Sequence, residues 1–194
     1  MKYTQYKGPV YRRDDFLIST QKPNQLLSFA DADHGMCLDS YRSTSGQLIL
    51  LNGAAVYWKS PLQNQAAIST TEAEYITLSE NANTVVGLRF LMEGLQEPQL
   101  GPTFIFQDNT AAIAASKNAP NRSRLRHINV RAYNIRDLVR AGDVYPIQCS
   151  SADQHADLCT KALAAPILTR HTDVAHGERS TDTPLFPIPA PEPA

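Results

Sequence analysis

Asn52-Gly53 stands between two runs of β-branched, leucine and aromatic residues, Gly46–Leu51 and Ala54–Trp58. Asn-Gly accepts the positive φ angles of a two-residue type I′ turn, whose twist matches the strands it joins. The pair therefore commits this stretch to a β-hairpin, and a hairpin needs a sheet around it. Upstream, Leu26–Ala32 reads as a strand ending in Asp31-Ala32-Asp33. Downstream, Ser69-Thr70-Thr71-Glu72 is a capping box, with hydroxyl and carboxylate three residues apart. The helix it starts should run to about Leu95, before Pro98, with Tyr75, Leu78, Ala82, Val85, Met92 and Leu95 at helical steps and Arg89 as the one break.

Thr103–Gln107 is a short apolar strand leading into Asp108. Asn109–Lys117 and His127–Ala141 read as helices, the second closed by Gly142. Val144–Cys149 reads as a strand, and Ser151-x-x-Gln154 opens a helix that carries Asp157 to about Leu163. The order β-β-β-α-β-α-α-β-α predicts an α/β fold, a mixed sheet flanked by helices on both faces.

At 194 residues the chain can bury one substantial core. Its net charge of −1 supplies no global field for nucleic acid, so any such surface must be local. No apolar run approaches the ~20 residues of a membrane helix, and no partner membrane is expected. Cys37, Cys149 and Cys159 form no C-x-x-C pair and read as reduced thiols. Trp58 reads as core. Residues 1–24 are a polar lead-in with Tyr3, Tyr6 and Tyr11 as anchors, and 25–165 is the folded domain. Residues 166–194, which end with five prolines between Pro184 and Ala194, read as a disordered tail.

Four carboxylates carry the functional reading: Asp31, Glu74, Asp108 and Asp157. Asp31 and Asp108 end predicted strands, where open α/β sheets bind ligands. Glu72 and Glu74 lie about 200° apart on a helix, so the capping role of Glu72 leaves Glu74 free to face inward. Carboxylates gathered from distant segments repel unless they share cations, and hard oxygen donors suit Mg²⁺ or Mn²⁺.

The words around these acids are Phe29-Ala30-Asp31-Ala32-Asp33, Arg42-Ser43-Thr44-Ser45-Gly46, Ser69-Thr70-Thr71-Glu72-Ala73-Glu74-Tyr75, Gln107-Asp108-Asn109 and Ala156-Asp157-Leu158-Cys159-Thr160-Lys161. Their succession, over about residues 24–163, closely resembles the ribonuclease H domain of copia-type retrotransposon Pol polyproteins. Tyr3-Thr4-Gln5-Tyr6-Lys7-Gly8 looks like the end of a reverse-transcriptase connection segment. The resemblance implies the ribonuclease H fold, with three antiparallel strands followed by two parallel ones. It also implies cleavage of RNA in RNA–DNA hybrids, with Asp31, Glu74, Asp108 and Asp157 holding two Mg²⁺ (or Mn²⁺) ions. It further implies the reverse-transcriptase domain of the same polyprotein as partner, in an intracellular setting, either a cytoplasmic virus-like particle or the nucleus. Asp33 falls where such domains vary and is a supporting candidate only. His34 stands where similar elements carry tryptophan, and His155 reads as a surface histidine.

Arg122, Arg124, Arg126, Arg131, Arg136 and Arg140 lie within nineteen residues. Beside a metal-carboxylate site they read as a phosphate track, with Arg136 and Arg140 one turn apart on a helix face. Arg42, Ser43, Thr44 and Asn109, with Asn129, are the polar residues expected to contact the nucleic acid.

Overall fold

The structure is a computed structural model that describes residues 8–11, 24–117 and 129–178, with the backbone alone for 129–133. A five-stranded sheet runs β1 (Leu26–Asp33), β2 (Thr44–Leu51), β3 (Ala54–Lys59), β4 (Thr103–Gln107) and β5 (Val144–Gln148). Its spatial order is β3-β2-β1-β4-β5. The β1–β2 and β2–β3 pairs are antiparallel, while β1–β4 and β4–β5 are parallel. This is the expected mixed sheet. Asn52 (φ 51°) and Gly53 (φ 81°) both hold the positive φ that the β2–β3 turn requires.

Helix α1 (Thr70–Gly94) begins at Ser69, whose Oγ accepts from Glu72 N at 3.2 Å. Glu72 in turn accepts from Ile68 N at 2.7 Å, one residue earlier than in the standard box. The break at Arg89 is explained: its guanidinium donates to Gly101 O and Thr103 Oγ1, which ties α1 to the start of β4. Helices α2 (Thr110–Lys117) and α3 (Asn129–Ala141) follow as expected, and Gly142 ends α3 at φ +77°.

Strand alternation splits the core into two layers. Leu26, Ala30, Ile49 and Ile105 pack with Tyr75, Leu78, Ala82 and Val85 of α1. Leu27, Phe29, Leu48, Phe104 and Phe106 form the opposite layer with Ala156 and Val174. The Phe29 and Phe106 rings stack with centroids 4.9 Å apart, which adds about 0.5–1.5 kcal/mol beyond area burial.

The structure corrects several expectations. Residues 151–159 form two 3₁₀ turns, Ser151–Asp153 and His155–Cys159, where an α-helix was expected. Residues 165–178 belong to the folded domain: Ala165–Ala175 is a helix, α4, with His171 and Val174 buried. Its Arg170 pairs with Asp153 and donates to Ala152 O, fastening α4 to the first 3₁₀ turn. The lead-in is also tied at one point, since Val10 N donates to His176 O and Tyr11 Oη to Ala55 O. Residues 1–7, 12–23 and 179–194 lie outside the described set. Trp58 is 67 % exposed and not core, because burial falls away toward the end of edge strand β3.

His155 is buried against the Phe29 ring, with Nδ1 2.7 Å from Nδ1 of His171, and is not a surface residue. Cys37, Cys149 and Cys159 are free thiols, as expected. No helix of the described residues is long and apolar enough to cross a membrane.

Candidate active site

The parallel register of β1 and β4 builds the site. Phe29 pairs with Phe106, so Asp31 and Asp108 each lie two residues beyond a paired position, side by side at the carboxyl ends of adjacent strands. Glu74, from the first turns of α1, comes over the same end. One oxygen from each of Asp31, Glu74 and Asp108 lies within 4.8 Å of the others. Asp31 is 1 % exposed and Glu74 7 %, while Asp108 is half-buried. Three carboxylate oxygens so placed are the donor set of a hard divalent cation, and they fit such an ion.

The electrostatics agree with that fit. Burial, then the field of Asp31, pushes the Glu74 carboxyl up to about 8, against the pull of a Gln107 hydrogen bond. Gln107 Nε2 donates to Glu74 Oε2 at 3.0 Å, and its Oε1 accepts from the backbone N–H groups of Asp108 and Asn109. A single fully buried amide thus fixes both Glu74 and the turn that carries Asp108. Ser151 Oγ donates to Asp108 Oδ2 at 3.0 Å.

Asp157 is not one of this oxygen triad; it lies beside Asp31, and Lys161 bridges the two. The Lys161 Nζ lies 2.7 Å from Asp157 Oδ1 and 3.2 Å from Asp31 Oδ1, and the Thr160 hydroxyl donates to Asp31 Oδ2. Burial raises the Asp157 carboxyl above its ordinary range, against the Lys161 hydrogen bond. The segment is pinned to β1 by Gln154, whose Nε2 donates to Ala30 O at 2.8 Å and whose Oε1 accepts from Ala156 N.

Gly46, the cross-strand partner of Asp31, lets this segment approach. A Cβ there would lie 2.6 Å from Thr160 Cγ2 and 2.8 Å from Ala156 O. Gly46→Ala is therefore expected to destabilise the chain by about 1–3 kcal/mol, the usual range for overpacking. Because the clash falls on the Asp157 segment, that carboxylate should be displaced as well. A denaturant melt measures the first effect, and exchange protection of the 155–161 amides the second.

The residues expected to contact nucleic acid are dispersed. Ser43 is buried, with its Oγ accepting from Gly35 N, so it cannot face a ligand. Arg136 is 3 % exposed and donates from Nε to Ala115 O, so it packs α3 against α2 and forms no track with Arg140. Arg140 is exposed beside Asp137. Asn109 Oδ1 caps α2 by accepting from Ala112 N. Arg42 Nε donates to Ser40 Oγ, not to Asp39. Thr44 is half-buried, and its N–H donates to Asp33 Oδ1 at 2.5 Å, so Asp33 serves the start of β2. Arg122, Arg124 and Arg126 lie outside the described residues, as do the side chains of Asn129 and Arg131.

Thr160 and Lys161 carry roles that their motif does not reveal; Gln154 caps a 3₁₀ turn and holds Ala30 O in place of opening an α-helix, and Gln107, named only as the neighbour of Asp108, fixes Glu74. Only the adjacency of Gln107 to Asp108 could have pointed to it.

A mixed sheet in the order β3-β2-β1-β4-β5, with carboxylates at the ends of β1 and β4, defines the ribonuclease H fold. The chain aligns with the ribonuclease H1 LC11, isolated from compost by a metagenomic approach, at a TM-score of 0.52 and 13 % identity, over 71 % of this chain and 93 % of that one. In sequence it is homologous to retrotransposon Pol polyproteins, as its motifs imply. It is 36 % identical over 140 residues to the Pol polyprotein of transposon TNT 1-94 from Nicotiana tabacum, and 31 % over 139 residues to that of transposon RE1 from Arabidopsis thaliana. These alignments cover 71 % and 72 % of this chain but 10 % of each polyprotein, so the chain spans about a tenth of these curated relatives. No family model matches the chain.

Proposed function

We propose that the chain is a divalent-cation-dependent ribonuclease that hydrolyses the RNA strand of RNA–DNA hybrids during retrotransposon reverse transcription. It would leave 3′-hydroxyl and 5′-phosphate ends. The observation that carries this reading is the convergence of Asp31, Glu74 and Asp108 oxygens within 4.8 Å at one end of a ribonuclease H sheet. Asp31, Glu74 and Asp108 would hold one Mg²⁺ ion, and Asp31 with Asp157 a second; Mn²⁺ suits the same oxygens. When bound, such a pair supplies an activated water and stabilises the leaving 3′ oxygen. The protein's own part is to hold the carboxylates fixed in direction, with Asp31 and Glu74 buried. Gln107 does this for Glu74, Ser151 for Asp108, and Thr160 with Lys161 for Asp31.

Arg42, Thr44, Asn109 and Arg140, with Arg122, Arg124 and Arg126, are proposed to meet the hybrid, whose 2′-hydroxyls and groove shape distinguish it from DNA. The reverse-transcriptase domain of the polyprotein is the proposed partner. The setting is intracellular, either a virus-like particle or the nucleus.

The test is incubation of the purified chain with a hybrid labelled on its RNA strand. Cleavage is expected with Mg²⁺, none with chelator, and a loss of at least about 100-fold in Glu74→Gln, beyond the usual effect of outer-shell partners. Binding of the hybrid without Mg²⁺-dependent cleavage would instead identify a catalytically silent nucleic-acid-binding module.

A further inference from the structure

Fixing Asp31 accounts for only part of the position of Lys161. Its ammonium contacts two of the four carboxylates at once, Asp157 at 2.7 Å and Asp31 at 3.2 Å. Those two are the pair that, on the functional reading above, would share the second divalent ion. Asp157 lies beside Asp31 but is not one of the three oxygens, from Asp31, Glu74 and Asp108, that lie within 4.8 Å of one another. Both Asp31 oxygens are engaged from the same segment, one by Lys161 and the other by the Thr160 hydroxyl.

We propose that Lys161 is a resident cation at the second metal position. It is a positioning residue that holds Asp157 against Asp31 and must withdraw before a second divalent ion can sit between them. The inference rests on the functional reading and adds an order of loading: the Asp31–Glu74–Asp108 position fills first, and the second only against competition from the protein's own ammonium.

Three features of the structure support it. Two carboxylates buried this deeply need a counter-charge, and Lys161 is the cation that meets both among the described residues. The lysine side chain is 41 % exposed, so its four-carbon stem has a route out to solvent. The backbone beneath it is anchored independently: Thr160 N and Lys161 N both donate to Asp157 O, and Gly46 leaves room for the turn. Withdrawal of the ammonium therefore need not unfold the segment.

The experiment titrates Mn²⁺ alone into wild type, Lys161→Met and Lys161→Gln by calorimetry, with Glu74→Gln to mark the first site. In wild type a Glu74-dependent site and a weaker second site are expected. In both lysine variants the second site should tighten by about tenfold or more, since a unit positive charge a few ångströms away has been removed. The first site, whose ligand Asp31 also meets Lys161, should tighten less than the second.

A second readout needs no variant. In carbon-13 spectra of wild type titrated with Mg²⁺, the Lys161 side-chain signal should make its larger move with the second equivalent, when the ammonium withdraws. Lys161→Gln keeps a hydrogen-bond donor for both carboxylates, so it remains informative should Lys161→Met unfold. A second site that neither appears nor tightens in the variants, or a Lys161 signal indifferent to the second equivalent, overturns the proposal while the nuclease reading stands. Absence of any Glu74-dependent Mn²⁺ binding in wild type overturns both.

Discussion

Asp31→Asn is expected to abolish Mg²⁺-dependent cleavage while leaving the fold intact. Asparagine keeps the shape of aspartate, and its carbonyl can still accept from Thr160. What it removes is the charge on which both proposed cation positions depend. Outer-shell partners of metal ligands usually contribute 10–100-fold, so loss of the shared ligand should exceed about 100-fold. Stability should not follow activity. The field of Asp31 is the second cause, after burial, of the raised Glu74 pKa. Removing it relieves a repulsion that the metal-free protein otherwise carries, while stranding Lys161 with Asp157 alone. These changes oppose each other, so the melting temperature in chelator should stay close to wild type. Cleavage within tenfold of wild type would place the chemistry elsewhere. A collapsed melting temperature would instead make Asp31 a structural residue.

The contrast between Asp31 and Asp157 shows where sequence stops informing structure. Strands and hairpin were legible because alternation and Asn-Gly are local signals, and the Asp31–Asp108 pairing follows once β1 and β4 are taken as parallel neighbours. Glu74 was legible because helical geometry separates it from Glu72. The Asp157 segment was not, since its 3₁₀ turns are held by distant partners: Gln154 on Ala30, Ser60 on Cys159 O, and the space above Gly46.

The arginine run misled for a similar reason. A long guanidinium stem can fold inward, and Arg136 does so because Ala115 O offers a partner. Helix α4 was hidden because the polar run from Arg170 onward shows little apolar periodicity. Its burial depends on His171 meeting His155 and on Arg170 meeting Asp153, contacts across sixteen and seventeen residues that no periodicity encodes.

The last prediction concerns pH. In the metal-free fold the Glu74 carboxyl is carried from an ordinary 4.5 up to about 8, chiefly by burial. Between those values the folded chain holds a proton that the unfolded chain has released, so stability must fall as pH rises through the window. Each unit of pKa difference corresponds to about 1.4 kcal/mol. The whole span would thus remove on the order of a few kcal/mol, and Asp157, also raised by burial, adds to the same slope at its lower end. Mg²⁺ works in the opposite direction. It requires the deprotonated carboxylates, binds better as protons leave, and stabilises the fold by about 2.7 kcal/mol at a hundred times its dissociation constant. Melting temperature in chelator should therefore decline from pH 5 to pH 8.5, and excess Mg²⁺ should flatten or reverse the decline. Glu74→Gln should lose most of both effects. A flat profile in chelator for wild type would mean that Glu74 ionises as a solvated carboxylate, and the crowding of charge from which the metal site is inferred would be absent.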